Sequence, residues 1–173
     1  IHVILKKLSS LGVELSITTN AVLVHKYIDA LKESGIKSIN VSLDTLNQEK
    51  FSQITRRNEF ERVYQNILLL IREGFQVKIN SVLIKDFNED EIIDFIELTK
   101  KYPVTIRFIE FMPFNGNKWD LSKLVSYAQI MDIVHAHYSK ASIKRIQDAT
   151  NDTSKNYEVM GHQGSFSVIS SVT

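Results

Sequence analysis

Polar side chains recur at every second position in four segments that otherwise have the residue types of buried β-strands. In a parallel sheet with helices on both faces, strands are normally unbroken runs of valine, isoleucine and leucine. Because side chains on a strand alternate between its faces, the alternate polar residues share one face. Burying such groups without partners costs on the order of several kcal/mol each, so the pattern predicts a polar ligand against that face. The first three segments place there Ser16, Thr18 and Asn20, then Asn40, Ser42 and Asp44, then Lys78 and Asn80.

Two cations within these segments narrow the chemistry of the ligand. Lys78 lies in the third segment and Arg107 in the fourth, and charged residues are rarely buried in central strands without a purpose. Both suit a phosphate-bearing ligand, and arginine can bind two oxygens at once. Met112, at the end of the fourth segment, offers a polarisable contact for a flat or sulfur-containing ligand. Further candidates lie at strand ends, where α/β proteins bind ligands: Thr18, Asn20, Ser42, Asp44 and Glu110.

Most of these residues also have a structural interpretation. Residues 18–20 could begin a turn and cap the next helix, and Asp44 could be an ordinary turn residue. Glu110 could form an ion pair with one of the two cations, and Met112 could belong to the core. The five histidines share no ligand spacing with nearby carboxylates, so we interpret them as non-catalytic and expect no metal ligand in this chain.

Strand patterns alternate with helix patterns, which predicts parallel, right-handed βαβ units. The predicted strands cover residues 13–19, 38–43, 76–84 and 104–111. The predicted helices include residues 1–8, 24–31, 59–73 and 88–101. Thr45 and Gln48 form a capping-box pattern before a short helix, and Asn88 is predicted to cap the helix that follows it.

The rhythm changes after Pro113. Ser126 and Gln129 are predicted to cap a helix, and residues 157–169 are predicted to form a hairpin. We therefore expect βα units over residues 1–113 and the start of a C-terminal region, a helix plus a hairpin, over residues 114–173. The polar stretch 148–155 is predicted to be a loop.

The composition is that of an ordinary globular domain, with 173 residues, 43% hydrophobic residues and a net charge of +1. This charge gives no general attraction to nucleic acid or to an acidic membrane surface. With no apolar run near the roughly 20 residues of a spanning helix and no signal-peptide pattern, we expect a cytoplasmic protein. The chain has no cysteine, and it begins inside a helix-like pattern, so we expect a piece of a longer protein.

Six motifs occur in order along the chain: Thr18-Thr19-Asn20, Asn40-Val41-Ser42-Leu43-Asp44, Phe60-Glu61-Arg62-Val63, Val77-Lys78-Ile79-Asn80, Arg107-Phe108-Ile109-Glu110-Phe111-Met112 and Ile169-Ser170-Ser171-Val172-Thr173. Together they resemble molybdenum cofactor biosynthesis protein A, a radical S-adenosylmethionine (radical SAM) family that converts GTP toward cyclic pyranopterin. The most distinctive piece is the strand 107–112 followed by residues 113–117 and Trp119. The resemblance implies an α/β fold, part of an incomplete (β/α)6 TIM-like radical SAM barrel followed by a small C-terminal α+β extension.

The resemblance also implies roles for particular residues. GTP is expected to contact Thr18, Lys78 and Arg107, and S-adenosylmethionine is expected to contact Ser42 and Met112. No catalytic residue is implied within this chain. Further members of the same pocket are expected to be Asn20, Asp44, Asn80 and Glu110.

The parent protein is expected to convert GTP to (8S)-3′,8-cyclo-7,8-dihydroguanosine 5′-triphosphate, the first step of molybdenum cofactor (molybdopterin) biosynthesis. The implied cofactors are S-adenosylmethionine and two [4Fe–4S] clusters. The cysteine motifs of the family, including C-x3-C-x2-C, are absent from these residues, so this piece alone is expected to be inactive. Ala21 stands where the family usually has glycine, so the turn there is expected to differ slightly. We expect a homodimeric parent that binds neither nucleic acid nor a membrane.

Two other functions fit the residues. Lys78 could form a Schiff base in an aldolase-like barrel, since a desolvated lysine can act as a nucleophile. Borohydride would then trap a carbonyl substrate on that side chain. Alternatively, the chain could be a non-catalytic nucleotide-binding fragment whose exposed sheet edges favour self-association.

Overall fold

The chain folds around one seven-stranded sheet in the order β1-β2-β3-β4-β7-β6-β5. The computed structural model describes residues 1–112, 120–147 and 153–170. Motif residues 113–117, 119 and 171–173, and most of the loop predicted at 148–155, lie outside the described residues. The strands are β1 (Ser16–Thr19), β2 (Ser38–Ser42), β3 (Gln76–Leu83), β4 (Thr105–Glu110), β5 (Ile143–Arg145), β6 (Ser154–Val159) and β7 (Ser165–Ile169).

The described residues form six α-helices, together with short 3₁₀ turns. The α-helices are α1 (His2–Ser9), α2 (Ile28–Glu33), α3 (Gln48–Thr55), α4 (Phe60–Arg72), α5 (Ile92–Lys101) and α6 (Tyr127–His137). Helix α1 precedes β1, and the others lie between strands. None of the described helices is long and apolar enough to cross a membrane.

Strands β1 to β4 are parallel neighbours in chain order, as the βαβ pattern predicts. The α/β fold class is therefore confirmed. Strand β7 continues the parallel part by pairing with β4, whereas β6 and β5 add two antiparallel strands beyond it. The hairpin predicted within residues 157–169 is β6–β7, and its second strand belongs to the main sheet. The expected division at residue 113 falls in an undescribed segment, and the sheet continues on both sides of it.

One face of the sheet carries the core. Helix α4 packs on β3, and α5 packs on β4 and β7, so this face is covered. The ring of Phe95 on α5, for example, meets that of Phe108 on β4 edge-on, with 6.2 Å between centroids. The strand residues fully buried on this face include Ile39, Val41, Ile79, Ile106, Phe108 and Phe166.

Two of the predicted helix caps are wrong, and both errors come from contacts between distant residues. Helix α3 is capped by Asn47, whose side chain accepts from the amides of residues 49 and 50. Thr45 instead donates to the carboxylate of Glu91. Asn88 does not cap α5; its amide bridges the carbonyls of Asp44 and Val82. The capping box predicted at Ser126 is confirmed for α6.

A histidine whose side chain is only 5% exposed joins the β6–β7 hairpin to α5. The Nδ1 atom of His162 lies 2.8 Å from the hydroxyl of Thr99, and its Nε2 atom lies 3.9 Å from the carboxylate of Glu97. The hydroxyl of Tyr138 donates to the same carboxylate. Burial lowers the pKa of His162 below its ordinary value, although the charge of Glu97 acts in the opposite direction.

This lowered pKa predicts a loss of stability in mild acid. As pH falls below about 6.5, the unfolded chain takes up a proton at this imidazole more readily than the folded chain does. We expect the melting temperature to fall between pH 7.5 and pH 5.5, and His162→Gln, which keeps a hydrogen-bonding group but does not titrate, to reduce that fall. A profile equally steep in His162→Gln would contradict this account.

Candidate functional site

The opposite face of the sheet is polar, and the strand register aligns its side chains in two rows. Residues that are Cα partners on neighbouring strands lie side by side and point to the same face. The first row, from β1 to β7, consists of Thr18, Asn40, Lys78, Thr105 and Ser165. The second row, from β2 to β6, consists of Ser42, Asn80, Arg107, Ser167 and Asn156. We call these two rows the polar face.

The sequence predicts nine residues that contact GTP, contact S-adenosylmethionine or belong to the same pocket. The polar face brings together five of these nine. Thr18 and Ser42 are exposed, and Lys78, Asn80 and Arg107 are half-buried. The register therefore places both cations and their polar neighbours on one surface, as the alternation predicts.

No carboxylate of the described residues pairs with either of the two cations. Among the described residues, none forms a hydrogen bond or an ion pair with the ammonium of Lys78. Among the same residues, the guanidinium of Arg107 forms one hydrogen bond, from Nη1 to Oδ1 of the neutral Asn40 side chain at 3.2 Å. Two positive charges on one surface without a counter-charge attract an anion.

One amide on this face is unsatisfied. The Oδ1 atom of Asn80 is buried and accepts no hydrogen bond from any described residue. An unpaired buried acceptor costs roughly 1–3 kcal/mol, so such groups are uncommon without a functional reason. Asn80 lies between Ser42 and Arg107 in its row. A ligand that donates an N–H or O–H group here would satisfy it.

The turn after β1 is built around a residue with an unusual backbone conformation. Ala21 has φ +58°, in the left-handed region that favours glycine, and its side chain is fully buried. The side chain of Asn20 accepts from the amide of Val22 at 3.2 Å, which supports the interpretation of Asn20 as a turn residue. From α4, the amide of Asn66 donates to the carbonyl of Ala21 at 2.6 Å and fixes the turn. Thr18 is thus followed by a firmly anchored connection.

The side chain of Asp44 is hydrogen-bonded to the backbone of β3. One of its carboxylate oxygens accepts from the backbone amide of Val82 at 2.9 Å, where β2 and β3 begin to separate. Burial raises the pKa of Asp44, and the bond from Val82 partly offsets that rise. The following residues are held by Glu91, which accepts from Thr45 and from the amide of Leu46. The carboxyl end of β2 is therefore rigid.

Glu110 does not lie on the polar face. Its neighbour in the register is Leu83, which is fully buried, and its own side chain is buried on the helix-covered side. There its carboxylate accepts from the backbone amide of Tyr127, at the start of α6. The expected ion pair of Glu110 with Lys78 or Arg107 is corrected accordingly, whereas its place in the ligand pocket stays a prediction. Met112 lies two residues beyond β4 and is 39% exposed.

Four residues of the polar face were missed from the sequence: Thr105, Ser165, Ser167 and Asn156. All belong to β4, β6 or β7. The serines alternate with apolar residues along β7, so their pattern was visible, but the pairing of β7 with β4 was not. The hydroxyls of Thr105 and Ser165 lie 3.1 Å apart and tie these two strands together on this face.

A cavity of about 580 Å³ lies elsewhere, beside the loop that follows β3. It is lined by Gln53, Ile54, Ile84, Lys85, Asp86, Phe87, Ser122 and Lys123. None of the nine predicted residues is among these lining residues.

Comparison with known proteins identifies the family of this chain. Residues 1–99 match the family model of the Radical SAM superfamily. The chain belongs to the radical SAM superfamily. Residues 104–173 match the model named Molybdenum Cofactor Synthesis C. The boundary between the two matches precedes β4, so the polar face of this radical SAM chain includes strands from both.

Two curated relatives extend this match. The chain is 48% identical over 160 residues to "GTP 3′,8-cyclase, mitochondrial" of Arabidopsis thaliana, which covers 92% of the chain and 40% of the relative. It is 42% identical over 160 residues to "Molybdenum cofactor biosynthesis protein 1" of Drosophila melanogaster, covering 92% of the chain and 28% of the relative. The resemblance to molybdenum cofactor biosynthesis proteins is thus confirmed, and the chain spans less than half the length of these relatives.

A solved structure supports the fold independently. Streptococcus suis SuiB aligns with 96% of this radical SAM chain and 35% of its own, with a TM-score of 0.65 at 15% identity. At that identity the likeness shows the fold alone.

Proposed function

We propose that the protein containing this chain is a radical SAM GTP cyclase. It would form (8S)-3′,8-cyclo-7,8-dihydroguanosine 5′-triphosphate from GTP, in the first step of molybdenum cofactor biosynthesis. The names of the curated relatives support the reaction. The observation that carries the proposal is the polar face itself, where no described carboxylate pairs with Lys78 or Arg107 on the sheet of a radical SAM chain.

The anionic part of GTP suits the middle of the polar face. Lys78 and Arg107 would bind its phosphates, with Thr18 contacting the same molecule from β1 in the row of Lys78. Thr18 is exposed and its hydroxyl can donate or accept. These three residues form the proposed GTP site.

S-adenosylmethionine suits the carboxyl ends of β2 and β4. Ser42 ends β2 and Met112 follows β4, and both side chains are exposed. When bound, S-adenosylmethionine would supply the 5′-deoxyadenosyl radical that abstracts hydrogen from the GTP ribose, after accepting one electron from a [4Fe–4S] cluster held elsewhere in the protein. Asn80 lies between Ser42 and Arg107 and could accept a hydrogen bond from either ligand. Asn20 and Asp44 support the rim of this pocket.

The chain does not supply the ligands of an iron–sulfur cluster. It contains no cysteine, and its described residues contain no group of three or more histidines, aspartates or glutamates that could hold a metal ion. The two [4Fe–4S] clusters of the proposed enzyme would be held by other parts of the protein, so these 173 residues alone should be inactive. What this chain contributes is binding and orientation of the two organic ligands.

The assembly and location of the protein are also part of the proposal. We infer a cytoplasmic homodimer that acts on GTP and binds neither nucleic acid nor a membrane. The net charge of +1 supports the inference about nucleic acid.

Equilibrium binding tests the proposed site. With the complete gene product, isothermal calorimetry should show one site for GTP and one for S-adenosylmethionine, each measurable in the presence of the other. ATP, which has the same phosphates but a different base, serves as the comparison ligand. The proposal fails if GTP does not bind, or if saturating S-adenosylmethionine displaces it.

A further inference from the structure

The side chain of Arg107 reaches an acceptor that is not its nearest neighbour in the sheet. Its register partner on β3 is Asn80, yet Nη1 of Arg107 donates to Asn40, which lies on β2. Since neighbouring strands are about 4.8 Å apart, the guanidinium extends across β3 to make this bond. The side-chain carbonyl of Asn80 accepts no hydrogen bond within the described part of the chain.

This bond brings the guanidinium beside the second cation. Asn40 is the register partner of Lys78, so the group that holds Arg107 lies next to the lysine. Two like charges repel, and each would be more stable farther apart. The side-chain carbonyl of Asn40 offsets part of that repulsion because it accepts a hydrogen bond from the guanidinium of Arg107.

The neutrality of Asn40 also matters. An aspartate has the same shape and could accept the same bond, but its charge would pair with Arg107 and Lys78 and neutralise them. An amide holds the guanidinium and leaves the positive charge available to a ligand. The amide nitrogen of Asn40 lies 3.5 Å from the carbonyl of Ile17 on β1, which orients its oxygen toward β3 and β4.

We propose that Asn40 is a positioning residue that holds Arg107 beside Lys78, so that both cations bind one polyphosphate. Asn40 acts through Arg107 and need not touch the ligand. The inference rests on the proposed function only in taking the polyphosphate to be that of GTP.

Three variants of the complete gene product test the proposal, with inorganic tripolyphosphate and GTP as separate probes. Asn40→Leu removes the acceptor and should weaken tripolyphosphate binding about 10-fold. Asn40→Asp keeps the acceptor but adds a charge, and it should weaken binding at least as much and reduce the dependence of affinity on salt. Gln76→Glu adds the same charge on the same face, two residues along β3 from Lys78, and should change affinity less than 3-fold.

A merely structural role for Asn40 would give a different result. It would lower the melting temperature and the affinity for S-adenosylmethionine together, whereas we expect S-adenosylmethionine binding in Asn40→Asp to stay within about 2-fold of the unsubstituted protein. In turnover, KM for GTP should rise with little change in kcat. If Asn40→Leu fails to fold, the isosteric Asn40→Asp still decides the matter.

The two probes separate this inference from the proposed function. Tripolyphosphate binding that weakens in both Asn40 variants supports the inference even if GTP does not bind. Unchanged tripolyphosphate affinity in both variants, an equal loss in Gln76→Glu, or no binding of tripolyphosphate to the unsubstituted protein would overturn it.

Discussion

Replacing Lys78 with methionine is expected to lower the affinity for GTP by roughly 10- to 100-fold. Lys78 lies on β3 in the middle of the polar face, and no described residue pairs with its ammonium. Its charge is therefore available to a phosphate, and a charge-assisted hydrogen bond is stronger than a neutral one. Methionine keeps most of the unbranched apolar stem and removes the ammonium, so the loss of affinity reports chiefly on the charge. Calorimetric titration with GTP measures the effect.

Lys37→Met is the matched control for this prediction. Lys37 is exposed and precedes β2, at the end of the sheet opposite to the proposed ligands, so its substitution should leave GTP affinity unchanged. Lys78→Met should also leave S-adenosylmethionine binding within about 3-fold of the unsubstituted protein. Equal GTP affinity in Lys78→Met and the unsubstituted protein would remove this lysine from the site. The aldolase-like alternative predicts instead that borohydride traps a carbonyl compound on Lys78.

Replacing Gly164 with alanine is expected to destabilise the protein by at least about 3 kcal/mol. A Cβ atom at this position would lie 2.1 Å from the backbone oxygen of Val104 and 2.8 Å from its nitrogen. These are backbone atoms at the start of β4, so they cannot move aside as a flexible side chain would. The same oxygen accepts from the amide of Ser165, the first residue of β7. The methyl group therefore pushes β7 away from β4.

Urea unfolding with Gly161→Ala as control measures this cost. Gly161 lies in the same connection, but nothing lies within 4 Å of an added Cβ there. Its φ of +84° makes alanine strained by about 1 kcal/mol, without a clash. A similar loss of unfolding free energy in the two variants would show that β7 and β4 tolerate separation at this point. Because Arg107 of the proposed GTP site lies on β4, beside β7, loss of GTP affinity should accompany Gly164→Ala if it folds.

The polar face on β1 to β3 could be predicted because it depends only on a period of two within each strand. Thr18, Asn40 and Lys78 alternate with apolar residues, and parallel pairing in chain order follows from the βα rhythm. The position of Glu110 follows from the same rule. It is three residues from Arg107 on one strand, so the two side chains point to opposite faces.

The extension of the face onto β7 could not be predicted in the same way. Strand β7 is five residues long, and its place beside β4 depends on the close approach of Gly164 to Val104. Thr45 donates to the carboxylate of Glu91, and Asn88 donates to the carbonyl of Asp44. Both partners are more than 35 residues away along the chain. Local capping patterns contain no information about such distant partners. The tertiary hydrogen bonds of Thr45 and Asn88 therefore could not be predicted from them.

The most direct test of the proposed function follows a hydrogen atom. The complete gene product, with its iron–sulfur clusters reconstituted under anaerobic conditions, is given S-adenosylmethionine and GTP carrying deuterium at ribose C3′. Mass spectrometry should find one deuterium in the 5′-deoxyadenosine formed, together with the cyclised nucleotide, and Lys78→Met should greatly reduce both at limiting GTP. Formation of 5′-deoxyadenosine without deuterium, or with GTP left unchanged, would contradict the assignment of this polar face to GTP cyclisation.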